Sequence, residues 1–444
     1  MKNILKNIYF NNLLYYVVAA EVVLLVFSFF FPVLTTFAEY ALILIPVLLL
    51  VDIIILFANK NGVWARRNTF DKLSNGDENP IQIFIENHYL FPARLIVIDE
   101  LPFQFQARDI AFDLKVESGK NKTLEYQVYP VKRGEYSFGA LNMYVKSPIG
   151  FIQKRYRFSQ DAIVPVYPSF LQMRKYELLA ISNYLTNTGI KKVRRVGNNA
   201  EFDRIKEYVQ GDELRTINWK ATARKNKLMT NQYQDEKSQQ VYSIIDMGRV
   251  MKMPFEGLSL LDYAINASLV ISNIAMIKQD KAGIITFSNK IQSVLPADRK
   301  SAQLQKILEL LYNQKTGYLE SDFERLYISI KAKISQRSLL LLYTNFESLS
   351  GLHRQLKYLR RLAKDHLLVV IFFENTELRA FLDKPATTTE EVYNKIIAEK
   401  FAYEKKLIVK ELEKYGIHTV LTEPKNLSVN TINKYLELKA RGRI

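Results

Sequence analysis

The sequence predicts a multidomain protein: an N-terminal transmembrane helical hairpin, an antiparallel β-sandwich, then a doubly wound α/β domain. Three observations predict this. Two apolar runs, Leu13 to Phe31 and Tyr40 to Ala58, are each nineteen residues long, about 28 Å as helices and close to the thickness of a bilayer's hydrocarbon core. Residues 61–168 then alternate apolar and polar positions. Residues 239–444 alternate apolar strands with helix-length segments, the pattern of a parallel sheet with helices on its faces.

The hairpin occupies residues 1–60. Lys2 and Lys6 precede the first span, no Lys or Arg lies in the linker at 32–39, and Lys60, Arg66, Arg67 and Lys72 follow the second. Positive charge stays on the cytoplasmic side, so both termini and the soluble bulk are expected in the cytoplasm. A cleaved signal peptide fits poorly, because a second span follows at once and no small-residue cleavage site is evident. Glu21 and Asp52 sit inside the spans. Such acids face protein or water, and without a basic partner in the spans a packing role is expected in preference to a proton path.

Residues 61–168 carry "PIQIFIEN", "ARLIVIDEL", "TLEYQVYPV" and "LNMYVKS", separated by turn signals such as Asn75-Gly76-Asp77 and Arg133-Gly134. Many short alternating strands argue for the sandwich. In the last two hundred residues the expected strands are 241–245, 283–287, 339–343, 367–373 and 418–421. The expected helices between and after them are 260–278, 300–313, 351–364, 389–415 and 428–439.

Composition removes several classes of function. The chain has no Cys and four scattered His, which excludes disulfides and thiolate metal sites and leaves little for zinc. Neither a dinucleotide nor a nucleoside-triphosphate cradle appears, nor a nucleophile elbow. No catalytic residue and no cofactor is assigned. A formal charge of +17 favours an acidic partner. One strand, "YSIID", ends on Asp246, where a doubly wound sheet places ligands. Hydroxyls two and four residues on would suit Mg²⁺, but those positions hold Gly248 and Val250. The expectation is no metal, with Asp246 bonding nearby backbone.

The segment 169–238 joins the two soluble domains. Its stretch 191–237 holds twelve Lys/Arg against seven Asp/Glu. Phe202, Ile205 and Tyr208 recur at helical spacing, so a helix is expected, ended by Gly211 with Asp212 capping the next turn. Asp212 and Arg215 are neighbours if that turn is helical. Trp219 is expected to cover apolar surface while Lys220 and Arg224 stay wet. A single Trp amid seven acids argues against nucleic acid.

The run "EFDRIKEYVQGDELRTINWKATARKNKLMTNQYQDEK" resembles the signature of the bacterial domain-of-unknown-function 58 (DUF58) family. The residues that carry the likeness are Glu201, Phe202, Tyr208, Gly211, Asp212, Arg215, Ile217, Trp219, Ala223, Arg224 and Glu236; Lys206 stands where the family has Arg. The upstream "LSNGDENPIQIFIEN" and "VKRGEYSFGALNMYVKSPIGF" are similar too. The resemblance implies a von Willebrand factor A-like C-terminal domain, a bacterial cytoplasmic membrane location, and a partner such as a MoxR-type AAA+ ATPase. Many such domains hold Mg²⁺; here Gly248 and Val250 replace both serines and Asn345 stands for an Asp, a degenerate site.

The expected function is therefore a membrane-anchored, non-enzymatic protein-interaction adaptor. Glu201, Phe202, Gly211, Asp212, Arg215, Trp219 and Arg224 are its candidate partner-binding residues. Whether they dock a partner or only join two domains stays open at this level. The rival readings are a hydrolase with a dispersed site and a basic-surface binder of nucleic acid or lipid.

Overall fold

Two apolar helices open the chain, α1 (Asn12–Phe30) and α2 (Thr35–Ala58), linked by the 3-10 turn Pro32–Leu34. The structure is a computed structural model, and it describes residues 6–106, 110–181, 200–210, 212, 214–235, 238–385 and 388–443. α2 starts five residues before its expected Tyr40. Thr35, Thr36 and Glu39 are not apolar, but no helix breaker lies between Pro32 and Tyr40. Both helices are long and apolar enough to cross a membrane.

Two compact units follow from the contacts, Met1–Tyr167 and Pro168–Ile444. The first holds α1, α2 and three sheets. A five-stranded sheet runs β1 (Ile8–Phe10), β10 (Ile152–Phe158), β9 (Leu141–Lys146), β5 (Ala93–Asp99), β6 (Ala111–Val116). A second runs β2 (Val63–Asn68), β4 (Asn79–Asn87), β7 (Asn121–Val128), and a third β3 (Leu73–Ser74), β11 (Ala162–Tyr167), β8 (Gly134–Phe138). Every pair is antiparallel except β3 with β11. Ile81, Ile83 and Ile85 of β4 enter one core with Leu95, Val97, Met143 and Val145, as period-two alternation dictates. The buried Arg67 guanidinium pairs with Asp99 at 3.2 Å, tying β2 to β5.

The same core anchors the apolar helices: Leu14, Val17, Leu48, Leu49, Ile53 and Phe57 pack against it. Asp52 is wholly buried. Its carboxylate accepts from the Ser147 hydroxyl and from the amides of Phe151 (3.1 Å) and Ile152 (3.3 Å). Lys154 donates to the carbonyls of Leu56 (3.0 Å) and Asn59 (3.1 Å), placing a cation at the negative end of α2. Burial pushes this amine down to about 8. Tyr89 Oη also donates to the Leu56 carbonyl. At the other helix, Asn11 accepts from the Asn12 amide and donates to Gly150 O.

The second unit centres on a six-stranded sheet in the order β18–β17–β14–β19–β20–β21. These are β14 (Gln240–Asp246), β17 (Lys281–Phe287), β18 (Ile291–Asp298), β19 (Leu339–Tyr343), β20 (Leu367–Phe373) and β21 (His418–Thr422). Five are parallel, while β18 is an antiparallel edge that the expected all-parallel sheet lacked. Its sequence "IQSVLPAD" is half-exposed, so it gives no continuous apolar run. The tiny hairpin β15 (Pro254–Phe255) and β16 (Leu258–Ser259) follows β14.

Helices α5 (Leu260–Ile277), α6 (Ala302–Tyr312), α7 (Phe323–Lys333), α8 (Leu349–Asp365), α9 (Thr376–Asp383), α10 (Thr389–Lys414) and α11 (Leu427–Ala440) cover the sheet's strands and edges, and α3 (Phe170–Ile181) packs on α5. α7 and α9 stood outside the expected elements. α5 is apolar and long enough for a span, yet 78% of its window is buried in the protein, against 17% and 11% for α1 and α2. A helix apolar all round is then a core helix. It begins with a capping box of Ser259 and Asp262.

If Asp52 is the peg between α2 and the β body, Asp52→Leu leaves a hydroxyl and two amides without partners. Each such loss costs about 1–3 kcal/mol. Full-length protein in lipid nanodiscs should melt well below wild type, with Ser147→Ala affected less. A neutral or stabilising Asp52→Leu would contradict the peg.

Candidate docking site

The signature segment folds as an arm. β12 (Ala200–Glu207) and β13 (Met229–Asp235) form their own two-stranded sheet, joined by the 3-10 turn Leu214–Thr216 and the short helix α4 (Trp219–Lys225). The helix expected at Phe202, Ile205 and Tyr208 is a strand. Spacing of three fits a helix locally, but pairing with β13 decides the state, and that partner contains the β-favouring residue types Thr230 and Tyr233. A bulge lies between Phe202 and Arg204.

The crest of the arm is pinned by polar contacts. Asn218 caps α4 by accepting from the Ala221 amide at 3.0 Å, and donates to Asn231 Oδ1 at 2.9 Å. Thr216 and Thr230 hydroxyls meet at 2.7 Å, and Thr222 Oγ1 accepts from the Met229 amide at 3.0 Å. Asn226 ends α4 in the left-handed region at φ 49°, which Asn tolerates better than most residues.

Asp212 does not pair with Arg215. It accepts from Lys206 Nζ at 2.9 Å and from the Val209 amide at 3.1 Å. The Lys206 hydrogen bond leads in holding its carboxyl below the usual range. Asp212 thus closes the turn that carries the crest.

Trp219 does not cover apolar surface as expected: it is 70% exposed, and Leu214 beside it is 72% exposed. Val209 and Leu228 are exposed too. Arg215 and Arg224 are exposed on the same crest, and among the described residues neither has an ion-pair partner. Glu201 and Phe202 lie in β12, with side chains outside those described; Gly211 and Glu236 lie outside the described residues.

A second constellation lies at the carboxyl edge of the six-stranded sheet. The chain leaves β14 for β17 on one side and later for β19 on the other, so the switch point falls between β14 and β19. There Asp246 is buried under a cavity of about 110 Å³ lined also by Arg249, Arg354 and Glu320. Its carboxylate accepts from Ser321 Oγ, Thr344 Oγ1 (2.6 Å) and the Gly248 amide (2.8 Å). Burial raises its carboxyl, and those three donors partly offset it.

The positions expected to complete a cation site beside Asp246 do not do so. Both Asp246 oxygens are taken by donors, Gly248 and Val250 bring no ligand atom, and the Asn345 Oδ1 accepts from Lys405 Nζ at 2.6 Å. Among the described residues no cluster of three His, Cys, Asp or Glu exists to hold one. Sequence reasoning missed Ser321, Thr344 and Lys405, which come from distant segments with no local motif. Gly248 carried a signal: a Cβ there would lie 2.2 Å from Ser321 Oγ.

Residues 204–379 match the family model described as "Protein of unknown function DUF58". The matched stretch runs from β12 of the arm through β20 into α9, and it supports the DUF58 resemblance. The uncharacterized protein YeaD of Bacillus subtilis is 23% identical over 208 residues, 46% of this chain and 52% of YeaD. The chain thus spans about half the length of that curated relative. Among solved structures, the conserved hypothetical protein BatB of Bacteroides thetaiotaomicron is 13% identical, covering 46% of this chain and 100% of BatB, with a TM-score of 0.31. An uncharacterized membrane spanning protein of Vibrio fischeri is 12% identical, covering 45% of this chain and 98% of its own, with a TM-score of 0.15. At such scores neither likeness bears on function.

The switch-point packing makes a non-additive prediction. Gly248→Ala should destabilise by about 1–3 kcal/mol, because its methyl displaces the Ser321 hydroxyl. Combining it with Ser321→Ala should recover part of that loss, a coupling of about 0.5 kcal/mol or more in a double-mutant cycle of chemical denaturation. Strict additivity would show that the two sites do not touch.

Proposed function

We propose that this chain is a membrane-anchored, non-enzymatic docking protein. In this reading α1 and α2 hold it in the bacterial cytoplasmic membrane, with both termini and both soluble bodies in the cytoplasm. The Lys/Arg flanking the spans and the uncharged linker support that orientation. The α/β body is read as von Willebrand factor A-like, consistent with the DUF58 match and with a carboxylate at the sheet's switch point. Its switch-point site works without a metal, because the donors around Asp246 leave no open oxygen.

The observation that carries the proposal is the crest of the β12–β13 arm. It presents an exposed Trp, exposed Leu and Val, and two exposed arginines on a backbone held by side-chain hydrogen bonds. Trp and Arg dominate interface hot spots, and a rigid platform loses little freedom on binding. The partner proposed is a MoxR-type AAA+ ATPase. Asp212 acts as a positioning residue, because it closes the turn and points its carboxylate at Lys206.

Full-length protein in nanodiscs, titrated with purified MoxR-type ATPase, tests this. Trp219→Ala should weaken capture about 30-fold, the equivalent of a 2 kcal/mol hot spot. Its melting temperature should stay near wild type, since exposed substitutions shift stability by about 0.5 kcal/mol or less. Arg224→Lys should lose nearly as much as Arg224→Ala, because an ammonium cannot reproduce a planar fork. Capture unchanged in Trp219→Ala, or lost only together with folding, would refute the docking surface.

A further inference from the structure

Beneath α9 and α10 the second unit holds a cavity of about 630 Å³, within the range of small-molecule sites. Its walls are mainly apolar and include Phe255, Leu260, Phe373, Leu378, Leu382 and Phe401. They come from β15, the start of α5, the end of β20, α9 and α10, so the cavity is built by the tertiary fold rather than by one element. Lys405 of α10 brings an amine to it. Lys405 Nζ donates to Asn345 Oδ1 and to the Phe346 carbonyl, leaving one N–H, and no carboxylate among the described residues pairs with it. Arg379 also lines the cavity but is held by Glu423 at 3.4 Å. Glu347 and Glu374 line it too, and neither forms an ion pair with Lys405.

We infer that this cavity binds an apolar carboxylate, with the acyl chain against the leucines and phenylalanines and the headgroup on Lys405. Burial pushes Lys405 down to about 8, against the opposing charge of Glu347 nearby. A carboxylate arriving there gains a charge-assisted hydrogen bond from the third N–H and favours the ammonium form. The apolar part of the walls supplies the remainder, so affinity should rise about fourfold with each added methylene until the cavity is filled. This inference goes beyond the docking role and requires no partner at the arm.

The test is equilibrium dialysis of radiolabelled decanoate against full-length protein in nanodiscs, with empty nanodiscs as background. Wild type should retain one decanoate per chain above background. Lys405→Met should weaken this at least about tenfold, as loss of a charged hydrogen bond requires, while leaving retention of uncharged decanol unchanged. Leu382→Glu should abolish retention of both ligands. Should Lys405→Met lower the melting temperature, the Leu382→Glu comparison and the chain-length series decide alone. Wild type retaining no more decanoate than empty discs overturns the inference. So does full retention by a folded Lys405→Met, or equal affinity for octanoate and decanoate.

Discussion

A carboxylate in an apolar helix has to find donors, and in this protein the donors come from the β body. Asp52 lies six residues before the end of α2, about 9 Å along the helix axis, and takes the Ser147 hydroxyl with the amides of Phe151 and Ile152. The turn between β9 and β10 is therefore held against the side of the helix and not merely tethered beyond its end. Lys154 on the adjacent strand then falls on the open carbonyls of Leu56 and Asn59. β1 and the Asn11 cap fix the first helix to the same strand and turn.

The second unit follows the same rule at its switch point. Asp246 is satisfied by two hydroxyls and an amide, and Gly248 leaves the room one of those hydroxyls needs. Where a hard cation would need open oxygens, the protein has placed its own donors, including the amine of Lys405 on Asn345. Trp219, Arg215 and Arg224 on the arm face outward, and Lys405 lines a cavity.

Elements defined by their own residues were legible in the sequence. The two apolar runs became helices close to their expected ends, and the double-sided apolar strands "LLLLY" and "LLVVIFF" became β19 and β20. What was lost depended on pairing across distance. The signature looked helical through Phe202, Ile205 and Tyr208 because the strand that claims it begins twenty residues on, at Met229. β18 was hidden because an edge strand needs only half its side chains buried. Ser321, Thr344 and Lys405 carry no local motif, and only the fold brings them to the edge where Asp246 and Asn345 were already suspected. Trp219 departs from the rule that large aromatics cover apolar surface, and on the arm it is exposed.

The most direct measurement is a photocrosslink in the native membrane. A photoreactive residue replaces Trp219 in the full-length chain, with Lys300, exposed elsewhere on the same unit, replaced in a parallel control. The account predicts one dominant protein adduct from position 219, a MoxR-type ATPase, that is missing from position 300. Adducts at 219 only with lipid or with this chain itself, or the same adducts from both positions, would contradict it.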